Sequence, residues 1–324
     1  MILIISSKDD RTTNDVIDWL RFYKMPFLRI SSEDVVDLTN VNISGLRNDI
    51  EFEVRCQKYK LSDFISVWYR RNWIKINFNV YENTNSTLSE EVNKQLLTEI
   101  GTLSGFLLNC IELKSLNRPQ DMFINKLSVL RICKEFEINI PETIITTKKK
   151  SLINFFNKKE KIISKNYSQG VFVEYENSYL NSYTMLVSKS VISELPDSFH
   201  PMMFQEYIEK SYEVRSFYLN EKFFSSAIMS QNDEKTKIDF RNYNDQQPNR
   251  TPPYILPKII ENKLISLMNN LKLNSGSIDL IVNSKGEYYF LEVNPIGQFS
   301  QVSKPCNYFL ENEVSKFLIN KSNF

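Results

Sequence analysis

The sequence predicts an α/β (α+β) protein, and three observations carry that expectation. Strand-like and helix-like segments alternate from residue 1 to about residue 115, polar–apolar alternation of period two recurs between Lys161 and Met229, and Gly276 to Pro295 reads as an antiparallel β-hairpin. A chain of 324 residues, 42% hydrophobic and 24% charged, is an ordinary globular composition and long enough for two or three domains.

Taken in order, Ile2 to Ile5 is a continuous apolar run, as a buried strand requires. An amphipathic helix follows, with Thr13 or Asn14 expected as N-cap and Val16, Ile17, Trp19 and Leu20 on its apolar side. Phe27–Ile30, Phe52–Arg55 and Ser66–Arg71 suggest further strands, and a long helix is expected from Ser89 to Leu108. Trp68-Tyr69-Arg70-Arg71 ends one strand. Adjacent arginines flanked by aromatics suit bidentate contact with an anionic group, and a solvated strand end accounts for them equally well. Asn125 to Thr147 reads as a helix and then an extended segment, with Ile140-Pro141 ending the helical pattern. Lys161 to Tyr175 reads as strand, loop, strand, with Lys165 where the first strand ends. Strands are expected over Met202–Ile208, Tyr212–Leu219 and Phe223–Met229. Asp233 to Pro253 is polar and proline-bearing, hence a loop, and a helix is expected from Leu256 to Leu271.

The hairpin is the most informative stretch. Asn283-Ser284-Lys285-Gly286 supplies turn residues, and a two- or four-residue loop there pairs odd positions of the first strand with even positions of the second. That register gathers Ile278, Leu280, Val282, Tyr289, Leu291 and Val293 on one apolar face, and Asp279, Glu292 and Asn294 on the other, beside Ile281, Tyr288 and Phe290. Two carboxylates and an amide are hard oxygen donors that suit Mg²⁺ shared with phosphates; an ordinary hairpin with a polar outer face is the plainer alternative.

Other chemistries lack their residues. The only histidine is His200, and neither a nucleophile elbow, a GxxxxGK[ST] loop nor a GxGxxG turn occurs. Cys56, Cys110, Cys133 and Cys306 form no CxxC pair, so reduced thiols and a cytoplasmic location are expected. A net charge of +1 argues against a nucleic-acid partner, and no apolar run approaches the roughly 20 residues that span a bilayer.

The order of these motifs resembles the ATP-grasp superfamily of ligases, and more narrowly the graspetide (microviridin-type, grasp-with-spasm) peptide maturases. The residues carrying the resemblance are Trp68-Tyr69-Arg70-Arg71, Asn125-Lys126, Pro141-Glu142-Thr143, Phe204-Gln205-Glu206-Tyr207-Ile208, Glu213-Val214-Arg215, Asp239-Phe240-Arg241 and Leu291 to Phe299. It implies an ATP-grasp fold: an N-terminal pre-ATP-grasp α/β domain over 1–120, a central lid domain over 121–201 and a C-terminal antiparallel-sheet domain over 202–324.

The resemblance also implies roles. Lys126 and Lys165 match phosphate-binding lysines, and Gln205, Glu206, Tyr207 and Ile208 match the hinge that reads adenine. Glu213 matches the acceptor for ribose hydroxyls, and Asp279, Glu292 and Asn294 match the Mg²⁺ ligands. Arg215 and Arg241 match positions near the transferred group, and Arg70, Arg71 and Asp239 match substrate-binding positions. The implied cofactors are ATP and Mg²⁺, and the implied partner is a ribosomal precursor peptide of leader plus core; a homodimer is compatible with this reading. Such enzymes join Asp or Glu side chains to Ser/Thr hydroxyls or Lys amines. The loop Asn166 to Gly170 departs from the pattern, with one glycine where phosphate-covering loops are usually richer. Two alternatives stand beside the peptide ligase: a glutathione-synthetase-like ligase of amino acids or protein C-termini, and a non-catalytic ATP-binding regulator on the same fold.

Overall fold

The structure is a computed structural model that describes residues 1–44, 47–71, 74–111, 115–168, 172–175, 178–181 and 183–320. Residues 169–171, which include the end of the expected phosphate-covering loop, lie outside the described residues. The chain forms two compact units. One comprises Met1–Phe123 with Gln298–Ser300 and the residues from Phe309 onward; the other comprises Ile124–Gly297 and Gln301–Tyr308.

The first unit holds a four-stranded parallel sheet in the order Phe27–Ile30, Ile2–Ile5, Ser66–Tyr69, Ser115–Leu116. Every residue of Ile2–Ile5 and Ser66–Tyr69 is buried, which is why Ile2–Ile5 reads as an unbroken apolar run. The helix Arg11–Phe22 buries Val16, Ile17 and Leu20. Its N-cap is Asp10 rather than Thr13 or Asn14: Asp10 Oδ1 accepts from Thr13 N at 3.1 Å, so the helix begins earlier than its apolar periodicity suggests. The C-terminal helix Leu310–Asn320 also belongs to this unit, and Ser66 Oγ donates to Leu318 O at 2.7 Å. A second four-stranded sheet runs Gln57–Lys60, Arg47–Val54, Val35–Ser44, Lys75–Ile76. The expected strand Phe52–Arg55 is the end of its longer strand Arg47–Val54. Arg55 and Cys56, at φ 53° and 60°, turn the chain into Gln57–Lys60.

In the second unit, one four-stranded sheet runs Met185–Val187, Ile162–Ser164, Ser198–Glu206, Thr143–Lys148. Leu152, Phe155, Ile162, Val187, Ile192 and Phe204 form its core with the helices Lys149–Lys159 and Lys189–Glu194. A two-stranded ribbon pairs Phe172–Tyr175 with Ser178–Asn181. A five-stranded antiparallel sheet runs Pro253–Tyr254, Lys222–Ile228, Lys210–Leu219, Ser275–Asn283, Tyr288–Asn294. One face of it packs on the helices Lys126–Cys133 and Lys258–Asn270 through Val214, Ile278, Leu280, Val282, Phe290, Val293, Leu264 and Leu267.

The expected hairpin forms, with one correction. Ile278 pairs with Val293 and Asp279 with Glu292, but the register then shifts, so that Leu280 faces Phe290, Ile281 faces Tyr289 and Val282 faces Tyr288. Leu291 is the extra residue of a β-bulge. Beyond it the face assignments exchange: Phe290 is fully buried and Tyr288 packs on the core, whereas Leu291 lines the cavity described below. The expected apolar face containing Tyr289 and Leu291 therefore holds only on the Asp279–Glu292 side of the bulge. The turn closes through Gly286 at φ 78°, whose N–H donates to Asn283 O at 3.1 Å.

This register makes a prediction. Phe290→Ala should cost about 3–5 kcal/mol by emptying a core position, whereas Leu291→Ala should cost under about 1.5 kcal/mol. Equilibrium denaturation measures both, and equal losses would mean that the bulge is misplaced.

Candidate active site

The other face of the five-stranded sheet collects the polar residues. Glu213 and Arg215 stand on Lys210–Leu219, two residues apart and so on one face. Arg215 is the direct cross-strand partner of Asp279, and Asp279 of Glu292, so strand parity alone sets Arg215, Asp279 and Glu292 in one row. A cavity of about 90 Å³ opens over this face, lined among others by Lys126, Lys165, Glu213, Asp239, Arg241, Asp279 and Glu292. That volume is small beside the roughly 300–1,000 Å³ of a site holding a whole organic ligand. It matches the phosphate end of a nucleotide better than the entire molecule.

Asn125 caps the helix Lys126–Cys133, accepting from Leu127 N and Ser128 N at 3.0 and 3.1 Å, and so presents Lys126 from the first helical position. Lys126 Nζ donates to Glu292 Oε2 at 2.7 Å. Lys165 directly follows the strand Ile162–Ser164 and has no hydrogen-bond partner among the described residues. Burial lowers its pKa, and Lys126 and Arg241 push the same way against the pull of Glu292. Burial raises Glu292, but Lys126, Lys165 and Arg241 outweigh it and hold the carboxyl below its usual value. Asp279 is raised by burial, with Arg215 opposing and Glu292 adding to the rise.

Asp279 Oδ2 lies 3.4 Å from Arg215 Nη1, while its Oδ1 is buried without a hydrogen-bond partner. An acceptor buried and left unmatched beside a second carboxylate is what a bound cation would satisfy. The donor set thus fits Mg²⁺, with Asp279 and Glu292 as its carboxylates and phosphate oxygens supplying further ligands. Among the described residues no group of three His, Cys, Asp or Glu side chains is arranged to hold a metal. Asn294, expected as a third ligand, shares the strand face through its pairing with Ser277. Its side chain is exposed and accepts from Ile296 N at 3.2 Å, and it does not line the cavity.

Asp239 is occupied by four donors. Arg241 Nε and N reach its Oδ1 at 2.8 and 3.1 Å, and Arg241 Nη2 and Thr184 N reach its Oδ2 at 2.6 and 3.1 Å. Burial pushes this carboxyl up, but the Arg241 bonds prevail and hold it at about 2. A carboxylate so filled holds Arg241 in place and has little capacity left for a substrate. Glu213 is buried, and its Oε1 accepts from Lys210 Nζ at 2.5 Å and from Ser230 Oγ at 3.2 Å.

The expected hinge residues Gln205 to Ile208 are not among those lining the cavity. Gln205 is buried and donates from Nε2 to Thr143 Oγ1 at 2.7 Å. Glu206 is pinned by Glu142 N at 2.9 Å and Lys159 Nζ at 2.7 Å. Tyr207 N donates to Lys161 O at 3.0 Å, and Ile208 is half-buried ahead of Lys210–Leu219. The arginine pair of the first unit is split. Arg70 is 1% exposed, 3.4 Å from Asp10 and stacked over Trp68, whereas Arg71 is exposed. Lys210, Tyr183 and Thr184 line the cavity without having been singled out from the sequence. For Lys210 the signal is the spacing Lys210-x-x-Glu213, which means nothing until a bulge is known.

No protein-family profile matches the chain, and no curated protein matches it. Solved structures do. The Chryseobacterium gregarium RiPP-associated ATP-grasp ligase, in complex with ADP and a leader and core peptide, is 24% identical with a TM-score of 0.78, over 98% of this chain and 94% of that one. The macrocyclase MdnC of Microcystis aeruginosa, bound with precursor peptide MdnA, is 25% identical with a TM-score of 0.76, over 99% of this chain and 100% of that one. D-alanyl-alanine synthetase A of Vibrio cholerae is more distant, 13% identical with a TM-score of 0.54 over 99% of this chain and 98% of that one. The chain has the ATP-grasp fold, and it is similar along its whole length to RiPP-associated ATP-grasp ligases and macrocyclases.

Proposed function

We propose that this chain is an ATP-dependent, ADP-forming peptide ligase that activates Asp or Glu side-chain carboxylates of a ribosomal precursor peptide and joins them to Ser/Thr hydroxyls or Lys amines as macrocyclic ester or amide links. The observation that carries the reading is the cavity wall itself. The unmatched Asp279 Oδ1 and Glu292 stand among Lys126, Lys165 and Arg241, on a fold similar to that of a macrocyclase bound with its precursor peptide.

A carboxylate oxygen of the peptide attacks the γ-phosphorus of ATP, the bond to the β-phosphate oxygen breaks, and ADP leaves. The resulting acyl phosphate is attacked at carbon by the hydroxyl or amine, whose proton is lost, and inorganic phosphate departs. Lys126 and Lys165 place two ammonium groups where phosphate charge gathers, and Arg241, fixed by Asp239, adds a planar guanidinium. Mg²⁺, held by Asp279 and Glu292, would neutralise phosphate charge when bound. Asn294 is proposed as a further ligand, and Arg215 orients Asp279 from the neighbouring strand. Adenine would meet the hinge at the Ile208 N–H, because the N–H groups of Glu206 and Tyr207 already donate to Glu142 O and Lys161 O. No enzyme nucleophile is needed, in keeping with a sequence that holds a single histidine, His200, and no nucleophile elbow. Arg71, exposed at the end of Ser66–Tyr69, is the member of its pair proposed to meet peptide carboxylates. A cytoplasmic site of action goes with this reading; no helix of the described residues is long and apolar enough to cross a membrane.

The test is co-incubation with Mg-ATP and the short acidic, Ser/Thr- or Lys-bearing peptide encoded beside this chain's gene. The expected result is loss of one water mass per crosslink. Unchanged peptide mass, with enzyme shown to be folded and to bind ATP, would overturn the proposal.

A further inference from the structure

Lys210 has no part in the roles above, yet it is one of the most deeply buried charges of the second unit, with 2% of its side chain exposed. Residues three apart on a regular strand point to opposite faces. Here the pairing with Ser275–Asn283 shifts between Lys210 and Tyr212, and the extra residue returns Lys210 to the face of Glu213. Its ammonium group then makes two contacts, with Glu213 Oε1 at 2.5 Å and Ile238 O at 3.2 Å. Lys210, Glu213, Ile238, Asp239 and Arg241 all line the same cavity. With Oε1 taken by Lys210 and Ser230, the other oxygen of Glu213 is the acceptor left for a ligand.

We propose that Lys210 is a positioning residue of the nucleotide site, whose ammonium group aims Glu213 at the ribose hydroxyls and anchors to it the loop that carries Asp239 and Arg241. This rests on the ATP-dependent reading above. One side chain thereby links the ribose end of the site to the arginine near the transferred group. Burying a lysine is costly, and it is offset only where the ammonium is paired and hydrogen-bonded, as it is here.

The test compares calorimetric binding of ADP and 2′,3′-dideoxy-ADP at fixed Mg²⁺. Hydrogen bonds to a charged acceptor make wild type prefer ADP by about 10-fold or more. Lys210→Met should shrink that preference to about 2-fold or less and also lower kcat in the peptide assay. Equal weakening of both nucleotides with the preference intact would make Lys210 merely structural and overturn the inference. A wild type that binds ADP without preferring it overturns the inference but leaves the ligase reading standing. A wild type that binds no adenine nucleotide overturns both.

Lys210→Met leaves Glu213 buried without its counter-charge, so a second arm uses Glu213→Gln, alone and with Lys210→Met. In the Glu213→Gln background the lysine has no charged acceptor left to aim at the ribose, and adding Lys210→Met should change ADP affinity by no more than about 2-fold. A further loss of about 10-fold there would show Lys210 acting by another route and overturn the proposal.

Discussion

Replacing Glu292 by glutamine is expected to abolish peptide-dependent ADP formation while leaving the protein folded. The two halves of that expectation have separate causes. Glu292 faces Asp279 across the hairpin and accepts from Lys126 at 2.7 Å, so glutamine removes one of the two negative charges available to a divalent ion and leaves the lysine charge unopposed. Altering groups that merely support a metal ligand costs about 10- to 100-fold in activity. Loss of a ligand's own charge should cost at least about 100-fold. Stability should change little, because glutamine has the shape of glutamate and keeps an oxygen that accepts from Lys126. ADP release with and without peptide, beside a thermal melt, reads both. Turnover within about 10-fold of wild type, in a folded variant, would take Glu292 out of the metal site. The same measurement separates a ligase from a non-catalytic ATP-binding regulator, for which there is no turnover to lose.

Much of this site was legible in the sequence, and the reason is strand parity. A period of two is enough to put Asp279 and Glu292 on one face, and Glu213 and Arg215 on another strand's matching face, once the turn at Asn283–Gly286 is recognised. What parity cannot reveal is where it breaks. The bulge at Leu291 sends Phe290 into the core, and the shift after Lys210 brings a buried lysine beside Glu213; neither leaves a mark on composition or periodicity. Partnerships between distant segments were equally hidden. Asp10 caps the first helix, and it also pairs with Arg70 some sixty residues later, turning an arginine that reads as exposed into part of the first unit's interior. Asp239 reads as a substrate contact until Arg241 and Thr184 are seen to fill both of its oxygens. The strand Val35–Ser44 is hidden for a plainer reason: seven of its ten residues are exposed, so its polar residues mask the alternation.

Arg241→Lys should lower kcat by about 100-fold or more and leave the affinity for ADP nearly unchanged. Arg241 commits Nε and Nη2 to Asp239, an arrangement that fixes the plane of the guanidinium and leaves its remaining donors to face the cavity. The Asp239 bonds raise the Arg241 pKa further against the pull of burial, so its charge is permanent. Lysine keeps that charge but offers a single ammonium that cannot form the two-pronged contact with Asp239 and reach the transferred group at once. A donor preset toward developing negative charge is worth about 10²–10³-fold in rate, whereas bound nucleotide, already ionised, gains little from it. The expected signature is therefore a fall in kcat without a matching change in nucleotide binding. Asp239→Asn gives the complementary arm. It keeps Arg241 but removes the charge that orients it, and should reproduce part of the kcat loss while loosening the Thr184 contact. If Arg241→Lys instead weakened ADP binding and kcat in equal proportion, Arg241 would be gripping the nucleotide in the ground state. Its alignment by Asp239 would then serve binding rather than the transfer step.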